Sequence, residues 1–486
     1  MLTPGEIKTL IDRDAASDKK QQALVGQRYY NAEHDIRNKR IFFVNAKGKL
    51  EEDKLKSNIR MSHPFFTELV DQETQYLLSC EEGFIRSDDA KLQMELNKRF
   101  NDNVRFKAEL NKVVTGGIVK GFDYFYAYRD ANGKITFEHA DSIGVVKCRA
   151  KETSDKQEYI IRWYVDHVDM DNKEIKKIEV WDAQQTHYFY QVEDGEILFD
   201  ESEKINPRPH TLYKKGNGDK TYYAGFGFIP FFEFENNERQ QSGLKPIKGN
   251  IDNYDVMCCG LANNIEDTNE SLYVVRGFEG DNLDVLMQNI KAKKMIGVGE
   301  EGGVDIQTID IPVEARKAQM EIDEKNIYRF GMGLNTAGLK DTNATTNLAI
   351  ASAYSLLDLK TNKIETQLTL FLLQLLPVVL EDINKENSTG YTEDDVYFKF
   401  KRELPTNALE NAQVELTEAQ KRQTEITTIL NIAPQLGNET AIQLICEQLD
   451  IEYADIKDKL PKPEETDPYA AQSALDAVQP EGDVIV

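Results

Sequence analysis

Cysteine is scarce and unpatterned in this chain. Cys80, Cys148, Cys258, Cys259 and Cys446 form no CxxC pair, and no histidine stands at metal-ligand spacing from them. That odd count excludes a disulfide-stapled scaffold and a zinc ribbon, so the five are read as reduced, mostly buried thiols of a cytoplasmic product. Histidine is equally dispersed: His34, His63, His139, His167, His187 and His210 occur singly, with no HExxH and no nucleophile triad. Long apolar runs are missing too, none approaching the roughly 18 residues of a membrane span. The richest, LTLFLLQLLPVVL at 368–380, is shorter and carries a proline, so it reads as a buried core helix. The opening MLTPGEIKTLIDRDAASDKK lacks the basic-then-apolar order of a signal peptide.

Positive charge is also in deficit, with 84 acids against 59 bases and a formal charge of -25. Tight nucleic-acid binding draws on Lys and Arg that displace counterions from phosphates, so this balance disfavours it. It does not exclude transient passage of DNA past an acidic wall. At 486 residues the chain is long enough for two to four domains with real cores.

Signatures of catalysis fail on inspection. Gly297-Val298-Gly299-Glu300-Glu301-Gly302 matches GxGxxG, but two glutamates lie in the loop and VDIQTIDI continues as a strand, where a dinucleotide site needs a helix. Gly48-Lys49 and Gly133-Lys134 lack the other parts of a P-loop. Asp166, Asp169, Asp171 and Glu174 miss the EF-hand glycine and carry Lys173 at a ligand place, so they read as a solvated turn. Lys291, Lys293 and Lys294 form a small basic cluster that reads first as a solvated strand edge. The chain is not expected to be an enzyme or to need a cofactor or metal.

Periodicity divides what is present. Residues 1 to about 125 read as helical, including TPGEIKTLIDRD, SNIRMSHPFFTELVDQETQYLLS and a long segment from Ala90 to Gly121. From 122 to about 235 the period is two, with hairpins turning at Asp130–Gly133, at Asp169–Lys173 and within THYFYQVEDGEILFD. After a Pro- and Gly-containing connector, Ile251, Tyr254, Cys258, Leu261, Ile265, Thr268 and Leu272 alternate steps of three and four, a coiled-coil-like seam. The other faces of that helix carry Asp252, Asp255, Glu266, Asp267 and Glu270, with no base between Lys248 and Arg276. A small α/β insertion follows, then a helix at 313–331, the soft stretch GLNTAGLKDTNATTN at 333–347, and a third helix from about 347 to 385. The third helix has a seam of Ile350, Tyr354, Leu357, Thr361, Ile364, Leu368, Phe371 and Leu375, and Pro377 predicts a kink or break within it. VYFKFKREL at 396–404 reads as a strand, and further helices are expected at 407–432, 438–449 and 453–460. The acidic, proline-containing tail after 460 reads as disordered or ordered by a partner. The fold class is α+β.

The segments QRYYNAEHDIRNKR at 27–40, NIRMSHPFFTELVDQETQYLL at 58–78, FIPFFEFENNERQQSGL at 228–244, GNIDNYDVMCCGLANNIEDTNESLYVVRGFEG at 249–280 and IPVEARKAQMEIDEKNIYRFGMGLN, followed by a long helix, occur in a telling order. In that order the chain resembles the portal proteins of tailed bacteriophages, in particular the Bacillus siphophage type, over about residues 20–460. The resemblance implies a wing at 1–248, stem helices at 249–274 and 313–331, and a clip at 275–312 between them. It further implies a tunnel loop at 332–346, a long kinked helix with a wing strand at 347–405, a crown at 406–460 and an acidic tail at 461–486. It implies a ring, usually of twelve subunits, at one capsid vertex in the virion, assembled in the host cytoplasm, with double-stranded DNA passing through an axial channel. Implied partners are copies of itself, the terminase large subunit, scaffolding and major capsid proteins, and head-completion or adaptor proteins.

Carried onto the residues, this places Lys340, Asn335, Thr336 and Asn343 in a DNA-contacting loop, with Gly331, Gly333 and Gly338 supplying freedom and Asn343, Thr345 or Thr346 capping the next helix. The acids Asp252, Asp255, Glu266, Asp267 and Glu270 become a channel or stem face, and Ile251, Tyr254, Leu261, Ile265 and Leu272 a subunit interface. Glu279, Asp281, Lys291, Lys293 and Lys294 become clip contacts, chosen for expected exposure. Competing readings are another ring-forming head-tail adaptor, which the length disfavours, and an acidic metal-dependent hydrolase, suggested only by the carboxylate excess.

Overall fold

Local signals set the start of the first helix, Pro4–Ala15 (α1). Thr3 and Glu6 form a reciprocal capping box and proline occupies the first turn, where its missing N–H costs nothing. The computed structural model describes residues 2–45, 47–54, 56–80, 83–130, 133–149, 157–214, 221–268, 272–276, 303–307, 312–335, 347–402 and 408–448. The remaining helices are α2 (Asp18–Tyr30), α3 (Phe65–Leu78), α4 (Ala90–Leu96), α5 (Val104–Lys120), α6 (Lys248–Thr268), α7 (Val313–Gly331), α8 (Asn347–Asn387), α9 (Ala408–Leu436) and α10 (Asn438–Gln448). The chain separates into two units, residues 1–344 with 351–404, and residues 345–350 with 405–486.

All three expected hairpins form in the first unit. Gln157–Val168, Glu174–Trp181 and Gln185–Val192 are consecutive antiparallel strands, extended by Val145–Arg149 at one side and by Ile197–Phe199 at the other. Phe122–Arg129 leaves this sheet and pairs instead with Ile135–Ala140 and Phe231–Glu235 in a second sheet of three strands. Among the described residues of the strand expected at 396–404, Tyr397–Phe398 is extended, and it pairs with Ile85–Arg86 rather than with either larger sheet. In the insertion, Leu272–Arg276 pairs antiparallel with Gly303–Gln307. Leu272 therefore begins a strand and does not extend the helical seam, because α6 ends at Thr268.

The main core joins α3, α5, the three-stranded sheet and α8. The seam of α8 is buried as its period requires: Leu357, Thr361, Ile364, Leu368, Phe371 and Leu375 are all at most 2% exposed. Phe371 packs its ring 5.3 Å from Phe125 and 5.6 Å from Phe234. Phe234 in turn needs Gly117, because a Cβ there would lie 2.3 Å from its ring. The apolar run at 368–380 is thus a core helix. Pro377 falls on its exposed side and α8 runs through it without a break, the missing N–H lying away from the packed face.

Two other local expectations are revised. SNIRMSH is extended, and α3 starts only after Pro64, since the residue before a proline is pushed out of the helical region. The long helix after Ala90 is interrupted at Asn97–Asn101 by a wider turn before α5 begins. In the second unit α9 and α10 meet at Gly437, whose φ of +85° makes the turn, and Ala441 and Cys446 are buried.

His210 stacks on Trp181 at 5.3 Å, and burial pushes its pKa down to about 4. A depressed imidazole value means that the unfolded chain binds the proton first. Stability from the neutral ring is complete above about pH 6.5 and is lost as pH falls toward 4. A pH series of urea unfolding should show a loss of a few kcal/mol over that window, flattened in His210→Phe. Equal slopes in the two proteins would refute the assignment.

Candidate functional site

The helix α6, whose acids the resemblance places on a channel or stem face, is clamped by its own chain from Asp252 to Asp267. Residues 57–63 run beside α6 as an extended strap, and alternate backbone N–H groups donate to side chains four residues apart. Ser57 N bonds Asp267 Oδ1 at 3.0 Å, Ile59 N bonds Asn263 Oδ1 at 2.6 Å, Met61 N bonds Cys259 Sγ at 3.1 Å and His63 N bonds Asp255 Oδ1 at 3.0 Å. The match is metric: two extended residues advance about 6.6 Å and four helical residues about 6 Å. The four alternate donors of the strap are thus satisfied by α6 side chains rather than by a partner strand.

Asp255 anchors this ladder. It is fully buried, and His34 and His63 approach its two oxygens through Nδ1 at 2.6 and 2.7 Å. A carboxylate offers only acceptors, so both rings present Nδ1–H to it. His34 also lies flat against Tyr29, with centroids 4.5 Å apart, and its buried Nε2 has no hydrogen-bond partner. Burial alone would raise the Asp255 carboxyl, but the hydrogen bonds from His34 and His63 outweigh it and hold the carboxyl below its ordinary value.

One turn earlier, Asp252 accepts from the Tyr29 hydroxyl and pairs with Lys248, which also bonds Asp35 at 2.7 Å. Burial pushes Asp35 up, yet its bonds from Lys248 and Arg28 bring it down to about 2. Of the five acids assigned to a channel face, Asp252, Asp255 and Asp267 therefore bind the chain's own N-terminal segments. Glu266 is exposed, and Glu270 lies outside the described residues.

The apolar seam is divided in the same way. Ile251 is fully buried in the main core, and Tyr254 packs edge-on against Phe65 and His63, each at 4.9 Å. The chain's own packing thus buries Ile251 and covers part of Tyr254. Leu261 is half-buried and Ile265 is 52% exposed, so the open part of the seam is at its far end. The returning helix α7 packs on α6 through Asn253 and Asp323 at 2.6 Å, and Arg316 reaches the Met257 carbonyl over Gly260.

The soft stretch after α7 begins docked on α3. Met332 takes the left-handed conformation that ends α7, at φ +54°. Gly331 and Gly333 straddle Leu69, where Cβ atoms would lie 2.7 and 2.0 Å from its methyls. Gln72 then donates to the Leu334 carbonyl at 3.0 Å and accepts from its N–H at 2.9 Å, and Asn335 donates to Glu324 at 3.4 Å. These two glycines thus provide close approach to α3 rather than freedom. Thr336, Gly338, Lys340, Asn343, Thr345 and Thr346 lie outside the described residues, as do Glu279, Asp281, Lys291, Lys293 and Lys294 and the GxGxxG match. Gln72→Ala should cost about 1–2 kcal/mol and speed proteolytic cutting within 333–346; an unchanged cutting rate would show that Gln72 does not hold the loop.

Sequence reasoning missed His34, His63, Cys259, Asn263, Leu69 and Gln72. Only a spacing of four at 255, 259, 263 and 267 hinted at the ladder, and its partner segment is some 200 residues away.

The described residues form a mixed fold of helices and antiparallel sheet in which a clamped pair of long helices brackets a small insertion. The family described as "Phage portal protein, SPP1 Gp6-like" matches residues 11–452, and the chain belongs to it. It is 29% identical over 362 residues to the portal protein of Bacillus phage SPP1, covering 74% of this chain and 70% of that one. With the portal protein of Clostridium phage phiCD119 it shares 25% identity over 470 residues, 93% of this chain and 98% of the relative. Among solved structures it is similar to the neck of a native GTA particle computed with C12 symmetry, at 12% identity and a TM-score of 0.37, covering 74% of this chain and 86% of that one. The neck of an empty GTA particle computed with C6 symmetry gives 11%, a TM-score of 0.38, and coverage of 72% and 84%.

Proposed function

We propose that copies of this chain close into a ring, of twelve subunits by the family's habit, at one vertex of a phage head. DNA passes inward through its channel during packaging and outward during ejection. The observation that carries this reading is the anchoring of the loop after α7. The start of that loop is held by α3 through Leu69 and Gln72, and α8, into which the loop runs, is packed into the core from Leu357 onward. Beyond the anchor at Asn335 the loop has one base, Lys340, in a chain of net charge -25.

Twelve such chains carry roughly -300, so most of a channel wall repels phosphate and DNA slides rather than binds. Glu266 on α6 and Glu270 in the sequence just after it are proposed to contribute to that wall, while Lys340, with Thr336 and Asn343 of the same stretch, touches phosphates in passing. Leu261 and Ile265 are proposed to pack against the adjacent subunit. The insertion between α6 and α7, with Glu279, Asp281, Lys291, Lys293 and Lys294, is the proposed docking platform. Its partners would be the terminase large subunit, whose nucleotide chemistry this chain lacks the motifs to supply, and later the head-completion or adaptor proteins. Scaffolding and major capsid proteins would surround the wing during assembly in the host cytoplasm.

Lys340→Glu is expected to leave rings intact while changing packaged DNA length or packaging rate; rings that package normally would remove the loop from the mechanism. Ile265→Asp should impair ring assembly, read by native mass and electron microscopy, without altering the unfolding of the wing. Rings as abundant as those of the parent would refute the interface.

A further inference from the structure

A short hairpin on the first unit carries an apolar face that its own chain leaves uncovered. Phe42–Val44 pairs with Leu50–Glu52 in the register Phe42 to Glu52 and Val44 to Leu50. That register sets Phe42, Val44 and Leu50 on one face, where they are 52%, 66% and 66% exposed. A two-stranded ribbon is at best marginally stable alone, and three large apolar side chains left in water ask for a partner.

Charge indicates which partner. Between residues 37 and 60 there are eight lysines and arginines against three acids, the reverse of the balance in the whole chain. Arg37, Lys39, Arg40, Lys47, Lys49 and Lys54 are exposed.

The same unit holds a surface of opposite character. Ile197–Phe199 is the edge of the larger sheet, pairing on one side with Gln185–Val192. Leu198 and Phe199 are 45% and 40% exposed, and Glu193, Asp194, Glu196 and Glu201 around them are exposed. An open edge with apolar side chains is a template for strand addition.

We propose that the hairpin at 42–52 of one subunit docks on the acidic edge strand Ile197–Phe199 of a second copy. The two patches differ, so the contact is heterologous, and repeating it around an axis closes a ring without leaving either patch uncovered. The inference rests on the ring-forming reading above and adds a wing contact to it, separate from Leu261 and Ile265.

The test uses the full chain. Lys47→Glu with Lys49→Glu alters only exposed side chains, so the monomer should keep its circular dichroism and unfolding curve. The concentration for half-assembly should rise about tenfold or more at low salt. Adding Glu193→Lys and Glu196→Lys to the same chain should restore assembly, which a merely local loss of stability would not allow. In parallel, Val44→Cys with Leu198→Cys should give an oxidation-dependent ladder of cross-linked multimers that neither single variant gives.

Assembly unchanged by charge reversal, or no ladder from the double cysteine variant, overturns the docking proposal while leaving the ring standing. An unaltered chain that stays monomeric at every concentration overturns the ring reading together with this one.

Discussion

Asp255→Ala is expected to destabilise the first unit by about 3–5 kcal/mol, because it orphans three donors at once at about 1–3 kcal/mol each, with water relieving part of the loss. Those donors are His34 Nδ1, His63 Nδ1 and the His63 backbone N–H. His63 is 27% exposed and can recruit water, whereas His34 is sealed against Tyr29 and cannot. Asp255→Asn retains one acceptor oxygen and should fall between the two. Denaturant unfolding of the isolated chain measures this directly; a loss under about 1 kcal/mol would mean that the clamp contributes little.

The same carboxylate predicts an acid dependence whose sign is fixed. Its folded value lies below the ordinary 3.8, so the unfolded chain takes up the proton first as pH falls. The stability it contributes is complete above about pH 4 and is lost as pH drops through the folded value. The gap in stability between the parent and Asp255→Asn should accordingly narrow below pH 4. A gap constant down to pH 2 would contradict the depressed carboxyl.

Phe371→Ala is the second large effect, expected at about 3–5 kcal/mol because it opens a cavity in a close-packed site. Its ring is 1% exposed and touches Phe125 and Phe234 from two strands, so the walls have little freedom to collapse. The consequence extends beyond stability, since this contact fixes the helix into which the loop at 336–346 runs. Faster proteolysis of that loop is expected alongside the lower denaturant midpoint. Phe371→Leu should recover much of both, and a variant as stable as the parent would show that α8 is held elsewhere.

Periodicity made the helices and hairpins legible in advance, and for α8 it even named the buried face from Leu357 to Leu375. Alternation and a fixed apolar seam are local properties, and here the tertiary environment agreed with them. The helix α6 shows the opposite case. Its steps of three and four described an apolar seam, but the chain's own core and N-terminal segments took Ile251 and part of Tyr254, and a second row with a step of four took the strap. A helix has several ridges, and its sequence alone does not say which one meets a neighbour from within the same chain.

The soft stretch divides along the same line. Its glycines, asparagines and threonines show that the helices stop there, and Lys340 stands out as its single base in an acidic chain. That Gly331 and Gly333 fit around Leu69, and that Gln72 holds Leu334, depended on α3 being brought alongside from some 260 residues away. By itself the sequence determined composition, charge, the helix and strand periods and the lack of nucleotide or metal motifs, because each is carried by neighbouring residues. Only the tertiary structure decided which acids remain free, because Asp252, Asp255 and Asp267 are committed to partners at Tyr29, His34, Ser57 and His63 that no local spacing relates to them.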